Sequence, residues 1–223
     1  MSKDLWLKRI RNYAGFLGMI LPWLCVLGYG IVYNFGNLKL TDGFPDSMSI
    51  TYYVSPILAM VLSSASLVLI TYDGYSLKDN LVTTISGIFG FMIVLFPCGD
   101  SNGVYDALNL TNVGFFQLPP SVSSIIHNSS AVVFFGLSAY NSFFLFTLGE
   151  TKKTTQKKIR NIVYKACAIG MVIPFIIMAL PVSFPNKTWW VEMVALTFFG
   201  ISWLTKGGAF SFLNDKPNKT RKL

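Results

Sequence analysis

The sequence predicts an all-α membrane protein: a polytopic bundle of six transmembrane helices in one domain, with the N- and C-termini cytoplasmic. Three observations carry that expectation. Of 223 residues, 52% are apolar and 13% charged, about half the share of charge that covers the surface of a soluble domain. Six apolar stretches approach the roughly 20 residues, within a range of about 17–25, that a helix needs to cross hydrocarbon. None alternates with period two, as an outer-membrane strand would. Sixteen of the eighteen Lys and Arg residues fall on one side of the resulting threading, as expected of a cytoplasmic face. The composition also excludes disorder. Cys25, Cys98 and Cys167 are too few for a disulfide-stapled secreted domain.

The first span is Tyr13–Tyr33. Basic residues precede it, but its apolar run is too long for a signal peptide and no small-x-small cleavage site follows, so it is read as a retained helix. Thr51–Thr71 is the second, with Ser63, Ser64 and Ser66 available for helix–helix contact. Leu81–Pro97 follows a turn at Gly74, where Asp73 and Asp79 are expected to face water and cap helix starts. Ser123–Leu148, rich in phenylalanine, holds a polar patch of Tyr140, Asn141 and Ser142, with Asn141 expected to bond a neighbouring helix. Ile162–Pro181 carries Pro174, which removes a backbone bond and kinks the span. Trp190–Thr205 is the last. The bundle thus occupies residues 1–213, and 214–223 read as a disordered basic tail. Trp6, Trp23, Trp189, Trp190 and Trp203 are placed mostly at interfaces, as an aromatic belt.

The formal net charge of +8 needs no nucleic-acid partner, because a basic rim is ordinary for the cytoplasmic side and gains about 1 kcal/mol per cation near anionic headgroups. Lys152, Lys153, Lys157, Lys158 and Arg160 form the densest run. They are candidate contacts for a lipid headgroup, or a topology signal alone. The partners implied are membrane lipids, with a homo-oligomer left open and the plasma membrane as the expected location. Only Lys39 and Lys187 lie outside.

Ionisable groups at membrane depth are costly and call for an explanation. His127, the only histidine, lies near the outer end of the fourth span, followed by Asn128. Glu192 lies at the same depth in the sixth. The two are expected to meet across the bundle, as a structural pair or, with Asn128 and with Asp100 of the outer loop, as a ligand site. Spacings for metal, phosphate-loop, dinucleotide or esterase motifs are missing. No catalytic residue, metal or cofactor is therefore assigned.

Four segments carry a family resemblance: Ser47-Met48-Ser49-Ile50-Thr51-Tyr52-Tyr53 entering the second span, Leu95-Phe96-Pro97 closing the third, His127 to Ala131 opening the fourth and Glu192-Met193-Val194-Ala195 opening the sixth. Together they resemble the DRAM-like family, which holds the damage-regulated autophagy modulators, the yeast Sfk-type proteins and relatives of the GPI-lipid remodelling factor. Uncharacterised bacterial six-span proteins share the pattern. The resemblance implies a multi-pass protein tied to lipid organisation, with His127 and Glu192 at the family's recurrent polar positions. The expected function is thus non-enzymatic: binding or organising membrane lipid, or sensing a small ligand at an outward-facing intramembrane site. The alternatives are an intramembrane lipid hydrolase using His127 with Asp100 or Asp73, and a channel or carrier assembled through Ser63, Ser66, Gly87 and Gly90. A second resemblance, to ceramidase-like transmembrane hydrolases, would engage Ser63 or Ser64, Asp73 and His127.

Overall fold

The computed structural model describes residues 3–74, 76–99, 103–148 and 154–215. Asp100, Lys152 and Lys153, three of the candidate site residues, lie outside them. The described residues are helical, with a single isolated β-bridge between Val113 and Leu118 in the connection that precedes Pro120. Eight α-helices follow in order: α1 Lys3–Phe35, α2 Thr51–Val54, α3 Ile57–Ile70, α4 Leu77–Leu95, α5 Val104–Leu108, α6 Pro120–Tyr140, α7 Thr155–Ala179 and α8 Lys187–Gly207. Four segments are long and apolar enough to cross a membrane: Asp4–Phe35, Leu77–Leu95, Pro120–Leu145 and Thr155–Ala179. The chain is therefore a membrane protein by its helices.

The other two predicted spans differ from expectation for identifiable reasons. The second is broken, because Ser55 precedes Pro56 and takes an extended conformation (φ −146°, ψ 150°), as a residue before proline prefers. That leaves α3 as a 14-residue apolar helix. The sixth is 21 residues long, but Trp189, Trp190, Trp203, Glu192 and the terminal Lys187 and Lys206 dilute its apolarity. The fourth span changes winding near its end, where Asn141–Leu145 form a π-helix.

The six long helices form a closed ring in chain order: α1 packs on α3, α3 on α4, α4 on α6, α6 on α7, α7 on α8, and α8 returns to α1. Neighbours run antiparallel. Ser86 of α4 bonds the Phe134 carbonyl near mid-α6, and His127, one end of α6 further on, reaches Ile93 and Phe96 at the far end of α4. An even number of alternating helices places the start of α1 beside the end of α8, so the side chain of Asn12 lies against Gly207. The ring closes at a seam where glycines let the two backbones approach. A Cβ on Gly15 would meet the Gly200 carbonyl at 2.7 Å, and one on Gly200 would meet the Gly15 carbonyl at 2.7 Å.

Aromatic rings fill the interior. Trp203 meets Tyr72 edge-on at 5.3 Å and Phe146 at 5.1 Å, and Phe134 lies 5.7 Å from Phe199. Trp189, edge-on to Trp23 and Phe44, is buried near the other end. Two of the five tryptophans expected in an interfacial belt, Trp189 and Trp203, are thus core residues, while Trp6, Trp23 and Trp190 are exposed. Indole rings are wide enough to span the gap between α8 and its neighbours.

Candidate functional site

The polar residues of the bundle gather at its two ends. At the end formed by the starts of α6 and α8, His127 is buried. Its Nδ1 lies 2.9 Å from the Phe96 carbonyl and 3.1 Å from that of Ile93. Carbonyls only accept, so Nδ1 carries a proton. Nε2 lies 2.9 Å from Ser49 Oγ, and in the neutral ring it accepts the serine proton. Glu192 does not pair with His127. Its Oε2 accepts the backbone N–H of Met48 at 2.7 Å. The expected direct pair is replaced by a bridge, because the segment entering α2 descends between α6 and α8 and takes one bond from each.

That segment is fastened along its length. Trp189 N–H donates to the Asp46 carbonyl at 2.9 Å, Asn186 Nδ2 to Asp46 Oδ1 at 3.1 Å, and Thr51 Oγ1 to the Met48 carbonyl at 2.7 Å. Met48, Ile50 and Thr51 are buried. Residues 44–51 thus plug this mouth of the ring. Asn128, named with His127 from the sequence, accepts a weak bond from Cys98 Sγ at 3.8 Å. Burial pushes that thiol up to about 12, so it stays protonated and can donate. Ser49 is the residue of this candidate site that sequence reasoning did not single out. A serine in a loop has no signal of its own until the fold brings residue 127 to it.

Asp73 cannot serve His127. It accepts a bond from Asn80 in the α3–α4 connection, at the opposite end of the bundle. Ser63 and Ser64 lie on α3 away from both, with Ser64 Oγ returned to the Met60 carbonyl, so the constellation of the ceramidase-like resemblance is not assembled. Ser66, Gly87 and Gly90, considered for oligomer contacts, are used inside the chain: a Cβ on Gly87 would meet the Ser66 carbonyl at 2.6 Å, which makes this the α3–α4 seam. Asp79 is buried, contrary to the expectation of a water-facing cap, and Ser76 caps α4 instead, accepting from Asp79 N–H at 3.1 Å. Among the described residues no three His, Cys, Asp or Glu side chains come together as a metal site.

No family model, curated protein or solved structure matches this chain. What the molecule does has to be argued from its own geometry.

At the opposite end a cavity of about 600 Å³ opens among the starts of α1 and α7 and the end of α8. Among the described residues Lys8, Arg11, Lys157, Arg160, Lys206 and Asp215 line it. Of the basic run proposed from the sequence, Lys157 and Arg160 belong to this cavity, and Lys158 is exposed elsewhere on α7. Arg11 is buried, its Nε and Nη2 donating to Tyr72 Oη at 3.0 and 2.8 Å. Lys206 Nζ donates to the Phe146 carbonyl at 3.0 Å. Asn214 and Asp215 are not free tail: Asn214 Nδ2 donates to the Gly208 carbonyl, and Asp215 takes bonds from Thr154 and Arg160.

Small polar groups pack beside this cavity, which Tyr164 itself lines. Ser142 Oγ lies 2.6 Å from Ser202 Oγ and donates to the Tyr164 carbonyl at 2.8 Å. Asn141 does not bond a neighbouring helix as expected. Its side chain is buried at the first position of the π-helix, and Oδ1 has no hydrogen-bond partner. The flanks of α7 are apolar by contrast. One groove of about 460 Å³ lies between α7 and α8, lined by Ile169, Ile173, Ile177, Trp190, Val194 and others. Another of about 370 Å³ lies between α7 and the end of the fourth span.

Proposed function

We propose that this chain is a multi-pass protein of the cell membrane that crosses the bilayer six times, keeps both termini cytoplasmic, and binds or organises membrane lipid without chemically altering it. The alternating ring of six helices supports the six crossings. Sixteen of eighteen basic residues on one side support the orientation. In this scheme α2 and α3 together make the second crossing, around Pro56, and α8 makes the sixth. A place among DRAM-like proteins belongs to the same proposal. It is supported by the way His127, Glu192 and the 47–53 segment, which carry the resemblance, converge on one structural feature.

The observation that carries lipid binding is the pair of apolar grooves flanking α7, about 460 and 370 Å³. Both fall in the range of about 300–1,000 Å³ typical of ligand sites, and their linings offer little but hydrocarbon. Both pass Ile169 and Ile173, close to the buried Pro174. An acyl chain is the ligand class with matching chemistry. Protein extracted in a mild detergent should retain phospholipid detectable by mass spectrometry, and Val194→Trp, which fills the larger groove, should release it. Parent protein that carries no lipid, or a filled variant that retains the same complement, contradicts lipid binding.

A lipid hydrolase is the second proposal, favoured by one observation: Ser49 Oγ is 2.9 Å from His127 Nε2, and the ring is oriented by two carbonyls, the relation of a nucleophile to its base. A fluorophosphonate probe should then label Ser49 in the parent and not in His127→Gln. Absence of labelling removes this proposal.

A further inference from the structure

The groove between α7 and α8 has one polar end. Its walls are Ile169, Ile173 and Ile177 of α7 and Trp190, Val194 and Phe198 of α8, each set recurring every fourth residue along one helix face. Among the described residues no charged side chain lines it. From Ala166 to Ile177 the α7 wall rises about 17 Å, at about 1.5 Å per residue. Half of a hydrocarbon core of about 30 Å is about 15 Å. The groove is therefore about as long as one leaflet is deep.

Lys187 stands at its end. It precedes Trp190, Val191 and Val194 by three, four and seven positions, which puts it on the same stripe of α8, one turn beyond the groove. Its Nζ reaches across to the end of α7, donating to the Leu180 carbonyl at 3.0 Å and to the Met178 carbonyl at 3.3 Å. The ammonium thus bridges the two walls just past Ile177. An ammonium has three protons to donate, so these two bonds leave one for an acceptor above the groove. The carboxylate of Asp46 is engaged by Asn186 Nδ2 at 3.1 Å, not by Lys187. Trp190 at the same end is 45% exposed, and an amphipathic indole favours the level of lipid headgroups.

We propose that this groove seats an acyl chain of a phospholipid whose headgroup carries net negative charge, with the phosphate on Lys187 and the chain running from there toward Ala166 and Phe198. One cation at the end of a leaflet-long apolar groove is the complement of an anionic lipid in its ordinary orientation, head at the interface and tail inward. A zwitterionic head brings a cation of its own toward the ammonium and gains less. The inference rests on the lipid-binding function proposed above and adds to it the headgroup class and the direction of the chain.

The test uses the full chain in a neutral detergent, offered equal amounts of phosphatidylglycerol and phosphatidylcholine with identical acyl chains. The ratio retained is read by mass spectrometry. The parent should retain phosphatidylglycerol in preference by about fivefold, the effect of one cation near an anionic headgroup. Lys187→Gln should bring the ratio close to equality while still holding lipid, and Lys187→Arg should keep the preference. Lys187→Met, which keeps the apolar stem, replaces the Gln variant if that one fails to fold. Lys39→Gln, which removes the other cation on that side of the proposed threading, should leave the ratio unchanged. A lysine that only caps the end of α7 predicts a lower thermal midpoint for the uncharged variants with the preference intact. Equal retention of the two lipids by the parent, an unchanged preference in the uncharged variants, or an equal loss in Lys39→Gln overturns the headgroup assignment. Acyl-chain binding survives any of these results if Val194→Trp still releases both lipids. Parent protein that retains neither lipid overturns both proposals.

Discussion

His127 and Glu192 hold two adjacent residues from opposite sides. Glu192 accepts the Met48 N–H, and His127 takes the Ser49 hydroxyl. Removing either leaves a buried group without its partner, at a cost of about 1–3 kcal/mol. Glu192→Gln keeps an acceptor for Met48 and should unfold near the parent temperature, whereas Glu192→Ala and His127→Ala should each unfold earlier by about that free energy. Thermal unfolding in mild detergent checks this, and equal behaviour of the Gln and Ala variants contradicts the bridge. Both positions were legible in the sequence, because ionisable groups at membrane depth are rare. Their partners were not. Ser49 and Met48 lie 78 and 144 residues away along the chain, and no local pattern encodes such a contact. The same holds for Asp215. Its folded-state pKa is depressed by Thr154 and Arg160, so its stabilising contribution is present above the unfolded carboxylate pKa and is lost as pH falls through the lower folded value. Hydrogen exchange over residues 209–215 should therefore accelerate only in acid, below the ordinary carboxylate range, and Asp215→Asn should exchange fast at neutral pH.

At the scale of elements, the sequence located every long helix by its apolar length. What it misplaced were the interruptions. Pro56 splits the second stretch into α2 and α3 because Ser55 before it takes extended backbone. The π-helix at Asn141–Leu145, which packs against α7, has no residue signature. Close seams were half legible: the glycines could be counted, but which of them face another backbone depends on the ring. Gly200 of α8 and Gly15 of α1 do. Gly200→Val should lower stability by about 1–3 kcal/mol through overpacking. Gly136→Ala, whose added carbon meets nothing within 4 Å, should be neutral or slightly stabilising through helix propensity. Equal thermal midpoints for the two variants contradict the α1–α8 seam.

The whole molecule is a ring sealed at one mouth by residues 44–51 and open to a basic cavity at the other. Among the described residues, cations from α1, α7 and α8 face this second mouth. The threading that places this end in the cytoplasm is tested most directly by labelling single cysteines with a membrane-impermeant maleimide, in a chain whose Cys98 is replaced by serine and whose other two cysteines, Cys25 and Cys167, are buried. Lys39→Cys should react on intact cells, while Lys158→Cys on α7 and Lys8→Cys on α1 should react only after permeabilisation. Reaction of either inner position on intact cells, or protection of Lys39→Cys, contradicts six crossings with both ends inside.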